Sequence, residues 1–101
     1  MAEKRKVVLK ALAEAQVSEI YDYLLSEGEN GYAETFINDF LDVVFDEIPR
    51  FPEQFPICEG IKSGSKDYRM GSIADEFRVV FQIHRDKVEI LLVLHELELP
   101  T

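Results

Sequence analysis

The sequence predicts an α+β domain in which a helical hairpin packs on one face of a small antiparallel sheet, in the order β-α-α-β-β-β. Apolar residues recur with helical spacing in two segments before residue 49, and they alternate with period two after residue 67. Glycines, asparagines and prolines separate these segments. The 101 residues are expected to form a single domain, because a chain of this length buries about two-thirds of its unfolded surface around one core.

The first strand and the first helix are predicted next to each other. The stretch Lys6 to Leu9 is short and β-branched, which favours a strand. A helical period follows, and its apolar face consists of Ala13, Val17, Ile20, Tyr21 and Leu24. Gly28, Asn30 and Gly31 break the helix.

The second helix carries an apolar stripe and is predicted to end at Pro49. The stripe consists of Ala33, Phe36, Ile37, Phe40, Leu41, Val44 and Ile48. The opposite face is acidic, which is typical of a solvated helix face. Val43 and Phe45 lie off the stripe, so they either widen the buried face or form an exposed apolar patch for a partner.

Three strands are predicted after the irregular segment FPEQFP at residues 51–56. The residues expected to face the helices are Tyr68 and Met70, then Phe77, Val79, Phe81 and Ile83, and finally Val88, Ile90, Leu92 and Leu94. A turn at residues 84–87 joins the last two strands. The last strand is apolar on both sides, which predicts a central position with the first strand beside it.

The formal net charge of −9 is unevenly distributed. Residues 11–57 contain eleven acids and one base, a net charge of −10. A field of this sign repels phosphates and argues against direct nucleic-acid binding. No apolar run approaches the ~20 residues of a membrane span, the N-terminus lacks the apolar core of a signal peptide, and the single cysteine fits a reducing compartment. A cytoplasmic protein without membrane contact is therefore expected.

Candidate chemistry is predicted on the face of the sheet that the helices leave open. Period two places Arg69 and Arg78 there together, where two guanidiniums could hold a phosphodiester. The alternative is a pair of solvated arginines balanced by Asp75 and Glu76. His95 ends the last strand, either as a general acid or base or as a strand-end residue. Two histidines far apart in sequence and one cysteine form no metal-ligand set, so neither a metal nor a cofactor is predicted.

Three stretches carry a resemblance to a known family: AEAQVSEIYDYLL, FPEQFP and DYRMGSIADEFRVVFQIHRDKVEILLVLH. Together with the element order, they resemble the RelE/ParE superfamily of small bacterial toxins, which are often labelled plasmid stabilisation proteins. The resemblance covers nearly the whole chain. The ParE-like branch is most similar, because it shares the long helical hairpin, the FP segment and the VLH ending.

The resemblance implies different activities for the two branches. RelE-like members cleave messenger RNA on the ribosome with a basic sheet face, and Arg69 and Arg78 match two of its bases. Gly71 stands where a second base of that strand is expected, and Glu96 and Glu98 replace the basic run that follows the last strand. Acids at the rim of a phosphate site oppose substrate binding, so ribonuclease activity is not expected.

The resemblance therefore implies a ParE-like toxin of a type II toxin–antitoxin module, which binds a bacterial protein such as DNA gyrase and is neutralised by an antitoxin from a neighbouring gene. Its candidate partner contacts are Val43, Phe45, Leu97 and Leu99. One alternative is a non-toxic or decayed member kept as a protein-binding module, including a homodimer through the C-terminal leucines. The second alternative is an enzyme, a RelE-like endoribonuclease whose catalytic residues would be Arg78, Arg69 and His95.

Overall fold

The computed structural model describes residues 4–58 and 68–98 and contains the predicted order of elements. Strand β1 spans Lys6–Leu9, helix α1 spans Ala11–Ser26 and helix α2 spans Asn30–Asp42. A π-helical turn (Val43–Glu47), the short helix α3 (Ile48–Arg50) and a 3-10 turn (Pro52–Gln54) continue from α2. The remaining elements are β2 (Tyr68–Ile73), β3 (Phe77–Ile83), β4 (Lys87–His95) and a 3-10 turn (Glu96–Glu98).

The four strands form one sheet in the order β1-β4-β3-β2. The predicted central position of β4 and the predicted place of β1 beside it are both confirmed. Strands β2, β3 and β4 are antiparallel neighbours, whereas β1 runs parallel to β4 from Lys6↔Lys87 to Leu9↔Ile90. The sheet is therefore mixed: the predicted antiparallel arrangement is confirmed for β2, β3 and β4, and β1 adds a parallel neighbour.

The helical hairpin covers one face of the sheet and closes the core. On α1, Ala13, Val17 and Leu24 are buried, and Ile20 and Tyr21 pack against them, as the spacing predicts. From the sheet, the core receives Ile73, Phe77, Val79, Phe81, Val88, Ile90 and Val93. Within the described residues, no helix combines the length and the apolar content of a membrane span.

The second helix differs from its prediction at two points. Its buried face consists of Phe36, Phe40 and Val43, whereas Leu41 is 47% exposed. The reason is that Val43 lies closer than Leu41 to the line along the helix through the two phenylalanines. The helix also continues past Pro49, since the Phe51 N–H donates to the Glu47 carbonyl at 2.9 Å. In a regular helix the proline ring would clash with the carbonyl four residues earlier, and a wider π-helical turn occupies that position.

Strand β4 contains a β-bulge that changes which of its residues face the helices. Phe81 pairs with Ile90 and Val80 pairs with Leu92, so Leu91 has no partner of its own. Beyond the bulge, Val93 lies in the core instead of the predicted Leu92 and Leu94. The Val93 N–H donates to Gln16 Oε1 of α1 at 2.8 Å.

Strand β2 also has the opposite phase to the prediction. Gly71 pairs with Val79 and Ile73 with Phe77, so these residues face the helices, whereas Tyr68 and Met70 lie on the open face. The reason is the aromatic segment before the strand. The ring of Phe55 packs edge-on against Phe81 and lies over Gly71, where an added Cβ would come within 3.0 Å of it.

Candidate functional site

Arg78 lies on the open face of β3, as predicted, but its guanidinium makes three hydrogen bonds within the protein. Nη2 lies 2.7 Å from the Glu96 carboxylate, and Nη1 donates to the carbonyls of Asp75 at 2.7 Å and Phe77 at 2.9 Å. The side chain is 19% exposed. An arginine that is paired with a carboxylate and two carbonyls has little charge and few donors left for a phosphate.

Arg69 does not share a face with Arg78, so the prediction that the two project together is wrong. Arg69 pairs with Phe81 in the ladder and therefore lies on the side of the helices. Its Nη1 donates to the carbonyls of Phe55 at 2.7 Å and Glu53 at 3.2 Å. This arginine holds the aromatic segment against β2.

His95 also faces the side of the helices, because the bulge reverses the alternation of β4. Its ring packs edge-on against Phe77, with 5.5 Å between the ring centroids. Nδ1 accepts a hydrogen bond from the Leu97 N–H at 3.1 Å, and Nε2 lies 4.0 Å from a carboxylate oxygen of Glu76. The sheet separates His95 from Arg78, whose strand neighbour is Leu94. The three predicted catalytic residues therefore do not converge.

The predicted partner contacts divide into buried and exposed positions. Val43 is 5% exposed and belongs to the core, so the expectation that it offers a contact surface is wrong, and it widens the buried face instead. Phe45 is 42% exposed and Leu97 is 84% exposed, so both are accessible to a partner. Leu99 lies outside the described residues.

A second histidine, His84, belongs to a polar cluster at the other end of the open face. Its Nε2 lies 2.5 Å from Glu89 Oε1, and Lys10 Nζ lies 3.6 Å from Glu89 Oε2. The hydrogen bond with His84, helped by the nearby positive charges, lowers the pKa of the Glu89 carboxyl. This cluster is a balanced surface network. Within residues 4–58 and 68–98, no group of three or more His, Cys, Asp or Glu side chains is placed to hold a metal ion.

A cleft of about 420 Å³, which the sequence interpretation did not identify, opens between α1 and the end of the β3–β4 hairpin. It is lined by Glu19, Ile20, Tyr23, Leu24, Glu76, Phe77, His95 and Glu98. The apolar side chains form its floor, and the glutamates form its rim. We call this feature the α1 cleft.

The wall of the α1 cleft near Glu76 is fixed by α2. The Tyr32 hydroxyl donates to the Ala74 carbonyl at 2.9 Å and to Glu76 Oε2 at 3.2 Å. Burial, together with this carboxylate, raises the pKa of Tyr32 to about 12. The Ala74 N–H donates to Asp39 Oδ2 at 2.6 Å. Two side chains of one helix thus hold the β2–β3 turn.

That turn is conformationally strained. Ala74 and Asp75 have φ angles of 48° and 62°, in the left-handed region that L-residues seldom adopt. Aspartate tolerates this region better than most residues do, but Ala74 carries no sequence signal for it. The hydrogen bonds from Tyr32 and Asp39 compensate for the strain and hold Glu76 at the cleft.

Comparison with known proteins places the chain in a family. A family model described as ParE toxin of type II toxin–antitoxin system, parDE, matches residues 7–100. No curated protein matches the chain significantly.

Solved structures show the same fold. The chromosomal ParDE toxin–antitoxin system from P. aeruginosa matches with a TM-score of 0.69 at 17% identity, over 91% of this chain and 96% of that chain. The toxin–antitoxin complex RelBE2 from Mycobacterium tuberculosis matches with a TM-score of 0.58 at 13% identity, over 93% and 100% of the two chains. A conserved hypothetical protein from Helicobacter pylori, known from its solution structure, matches with a TM-score of 0.57 at 21% identity, over 93% and 97%.

Proposed function

Because the chain belongs to the ParE toxin family of type II toxin–antitoxin systems, we propose that it arrests bacterial growth by binding a protein target in the cytoplasm, with DNA gyrase as the first candidate. A cognate antitoxin, encoded beside it in a plasmid-stabilisation type of module, neutralises it by binding. The proposed activity involves no cofactor and no catalytic step on nucleic acid.

The state of Arg78 is the observation that carries the choice of a protein target over RNA. The arginine best placed for a phosphodiester is paired with Glu96 and with two backbone carbonyls, and Arg69 lies on the other face of the sheet. A negative rim beside the remaining histidine opposes a phosphate further. These contacts argue against a RelE-like endoribonuclease and leave protein binding as the activity that the surface supports.

The exposed apolar residues supply candidate contacts for partners. Phe45 extends from the π-helical turn with its ring edge-on to Phe40, and Leu97 lies on the last described turn, beside the α1 cleft. Isolated exposed apolar residues are common, and these two follow the second helix and the last strand, so each offers a separate apolar contact to a partner. We assign Phe45, Leu97 and Leu99 to partner binding, either to the target and the antitoxin or, as the alternative, to a second copy.

The test is growth of a bacterial host after induced expression of the wild type, Arg78→Ala and a truncation that ends at His95. We expect the wild type and Arg78→Ala to arrest growth and the truncation to lose this activity, with circular dichroism confirming that each protein is folded. Purified wild-type protein should inhibit supercoiling by purified DNA gyrase. Arrest that disappears in Arg78→Ala, with cleaved messenger RNA in the cells, would establish the nuclease instead.

A harmless wild type with a folded structure would favour the other alternative, a non-toxic binding module. The net charge of −9 is the observation that favours this alternative. Size-exclusion chromatography with light scattering then distinguishes a homodimer from a monomer that awaits a different partner.

A further inference from the structure

The α1 cleft combines an apolar floor with an acidic rim, and we propose that it receives an arginine side chain from the antitoxin. The identity of the partner as an antitoxin rests on the proposed function. The preference of the cleft for a guanidinium on an apolar segment rests on the residues that line it.

The floor fits the hydrocarbon part of such a side chain. Leu24 is 5% exposed and Phe77 is 6% exposed, so both present a packed apolar surface at the bottom of the cleft. Tyr23, by contrast, is 62% exposed at its edge. The volume of about 420 Å³ lies within the range of ligand-binding clefts, roughly 300–1,000 Å³. The methylene groups of an arginine would lie on this floor while its head reaches the rim.

The rim fits the charged head. Glu19 comes from α1, Glu76 from the β2–β3 turn and Glu98 from the last described turn, so three carboxylates approach from different elements. None of the described lining residues is a lysine or an arginine. Glu76 Oε2 accepts the Tyr32 hydroxyl and Glu98 Oε1 accepts the His95 N–H, and each of these carboxylates has a second oxygen that can face the cleft.

The arrangement favours a guanidinium over the other cations. A guanidinium offers five donors in a planar fork and stacks on aromatic rings, and the cleft is lined by carboxylates together with the rings of Phe77 and Tyr23. A metal ion would need a compact ligand set, and the described residues contain no such group. The helices around the cleft add to its field, since residues 11–57 carry eleven acids and one base. An antitoxin segment that binds here would therefore be apolar with at least one arginine.

The test uses a defined probe, the capped tripeptide Leu-Arg-Leu, and its neutral counterpart with citrulline in place of arginine. Both are titrated into the ¹⁵N-labelled full-length protein and followed by amide chemical shifts. We expect the arginine peptide to shift the signals of Glu76, His95 and Leu97, with a dissociation constant on the order of 1 mM, because a short peptide occupies only one cleft. The citrulline peptide should bind at least about fivefold more weakly.

Two variants and a control connect the binding to the rim. Glu19→Gln and Glu76→Gln should each weaken the arginine peptide about threefold to tenfold, and glutamine at position 76 can still accept the Tyr32 hydroxyl. Glu34→Gln makes the same charge change at an exposed position of α2 outside the cleft, and it should leave the affinity within about twofold. Equal binding of both peptides, binding unaffected by the two rim variants, or no binding at millimolar peptide would overturn the proposal.

The peptide titration and the growth assay test separate claims, so each result can be interpreted without the other. Arrest of growth without selective arginine binding would reject the cleft and leave the toxin function in place. Selective arginine binding by a protein that arrests nothing would leave the preference of the cleft and reject the antitoxin as its source. With toxicity established, Glu19→Gln and Glu76→Gln should require more antitoxin for rescue than the wild type at expression levels that give equal growth arrest, and unchanged rescue would reject the antitoxin's arginine as the occupant.

Discussion

Arg78 Nη2 and Glu96 Oε2 lie 2.7 Å apart and form an ion pair between β3 and the turn that follows β4. The Glu96 N–H donates to the Glu76 carbonyl at 2.9 Å, so the same residue is held by its backbone as well. These two contacts attach the C-terminal turn to the beginning of β3. The acidic segment that the family resemblance marks as unusual is thus a structural partner of the arginine.

We predict that Glu96→Gln lowers the free energy of unfolding by about 0.5 kcal/mol, because an ion pair whose carboxylate is 44% exposed is well screened by water. The loss should become smaller at high salt. Urea denaturation at low and high ionic strength measures it, with Glu34→Gln as the matched control. An effect above about 2 kcal/mol, or one independent of salt, would show that the pair is less solvated than its exposure indicates.

A second prediction concerns Gly71 and the ring of Phe55. A Cβ at position 71 would lie 3.0 Å from Phe55 Cε2 and 3.3 Å from Val79 Cγ1, so Gly71→Ala should lower the free energy of unfolding by about 1–3 kcal/mol through overpacking. Combined with Phe55→Leu, the loss should be smaller than the sum of the two single losses. Gly31→Ala is the control, because its Cβ would meet nothing within 4 Å and should not destabilise the protein.

The third prediction tests the support of the strained β2–β3 turn. Asp39→Ala leaves the Ala74 N–H without its acceptor and should lower the free energy of unfolding by about 1–3 kcal/mol. Asp39→Asn keeps an acceptor and should recover part of this loss. Asp42→Ala, an exposed position at the end of α2, should stay within about 0.5 kcal/mol of wild type in the same thermal or urea unfolding series. Equal losses at both positions would contradict the role of Asp39.

Ala74→Gly provides the converse of that experiment. At a φ of 48° an alanine is strained and a glycine is not, so the variant should be more stable than wild type by up to about 1 kcal/mol. The gain is limited because glycine also increases the entropy of the unfolded chain. A loss of stability in Ala74→Gly would show that the turn is relaxed.

The fifth prediction is the titration of Tyr32. Its pKa of about 12 in the folded protein exceeds the ordinary value of 10.0, so the folded state keeps the proton over a range in which the unfolded chain releases it. The corresponding stability is fully present below pH 10 and is lost as the pH rises from about 10 towards about 12. Ultraviolet absorbance of tyrosinate should show a late-titrating tyrosine that is absent in Tyr32→Phe and shifted to lower pH in Glu76→Gln.

The buried faces of the helices could be predicted from sequence because apolar residues at helical spacing fall on a single face. Val17 and Leu24 on α1, and Phe36 and Phe40 on α2, all have the burial that a 3.6-residue period assigns to them. Leu41 marks the limit of the method, since it lies at the edge of the apolar stripe and only the packing decides which edge is covered. The central position of β4 could be predicted in a similar way, because a strand that is apolar on both of its faces is expected inside the sheet.

The placement of the candidate residues could not be predicted, because a strand has two phases and local events select between them. For Arg69 the selecting event is the contact of Phe55 with Gly71, which lies sixteen residues away in sequence. For His95 it is the bulge at Leu91. The α1 cleft was also beyond sequence reasoning, since Glu19, Glu76 and Glu98 come together only after the hairpin packs on the sheet.

The bulge at Leu91 affects how residues should be compared between members of the family. In a relative of identical sequence whose last strand is regular, the side chain aligned with His95 would lie on the open face of the sheet. Residues after Leu91 that align in sequence therefore need not lie on the same face of the sheet. A single deletion at Leu91 would make the strand regular and leave Leu94 opposite Arg78 and His95 opposite Phe77, because the deleted residue has no partner in the ladder. Alignments of this strand with a regular one should therefore place a gap of one residue opposite Leu91.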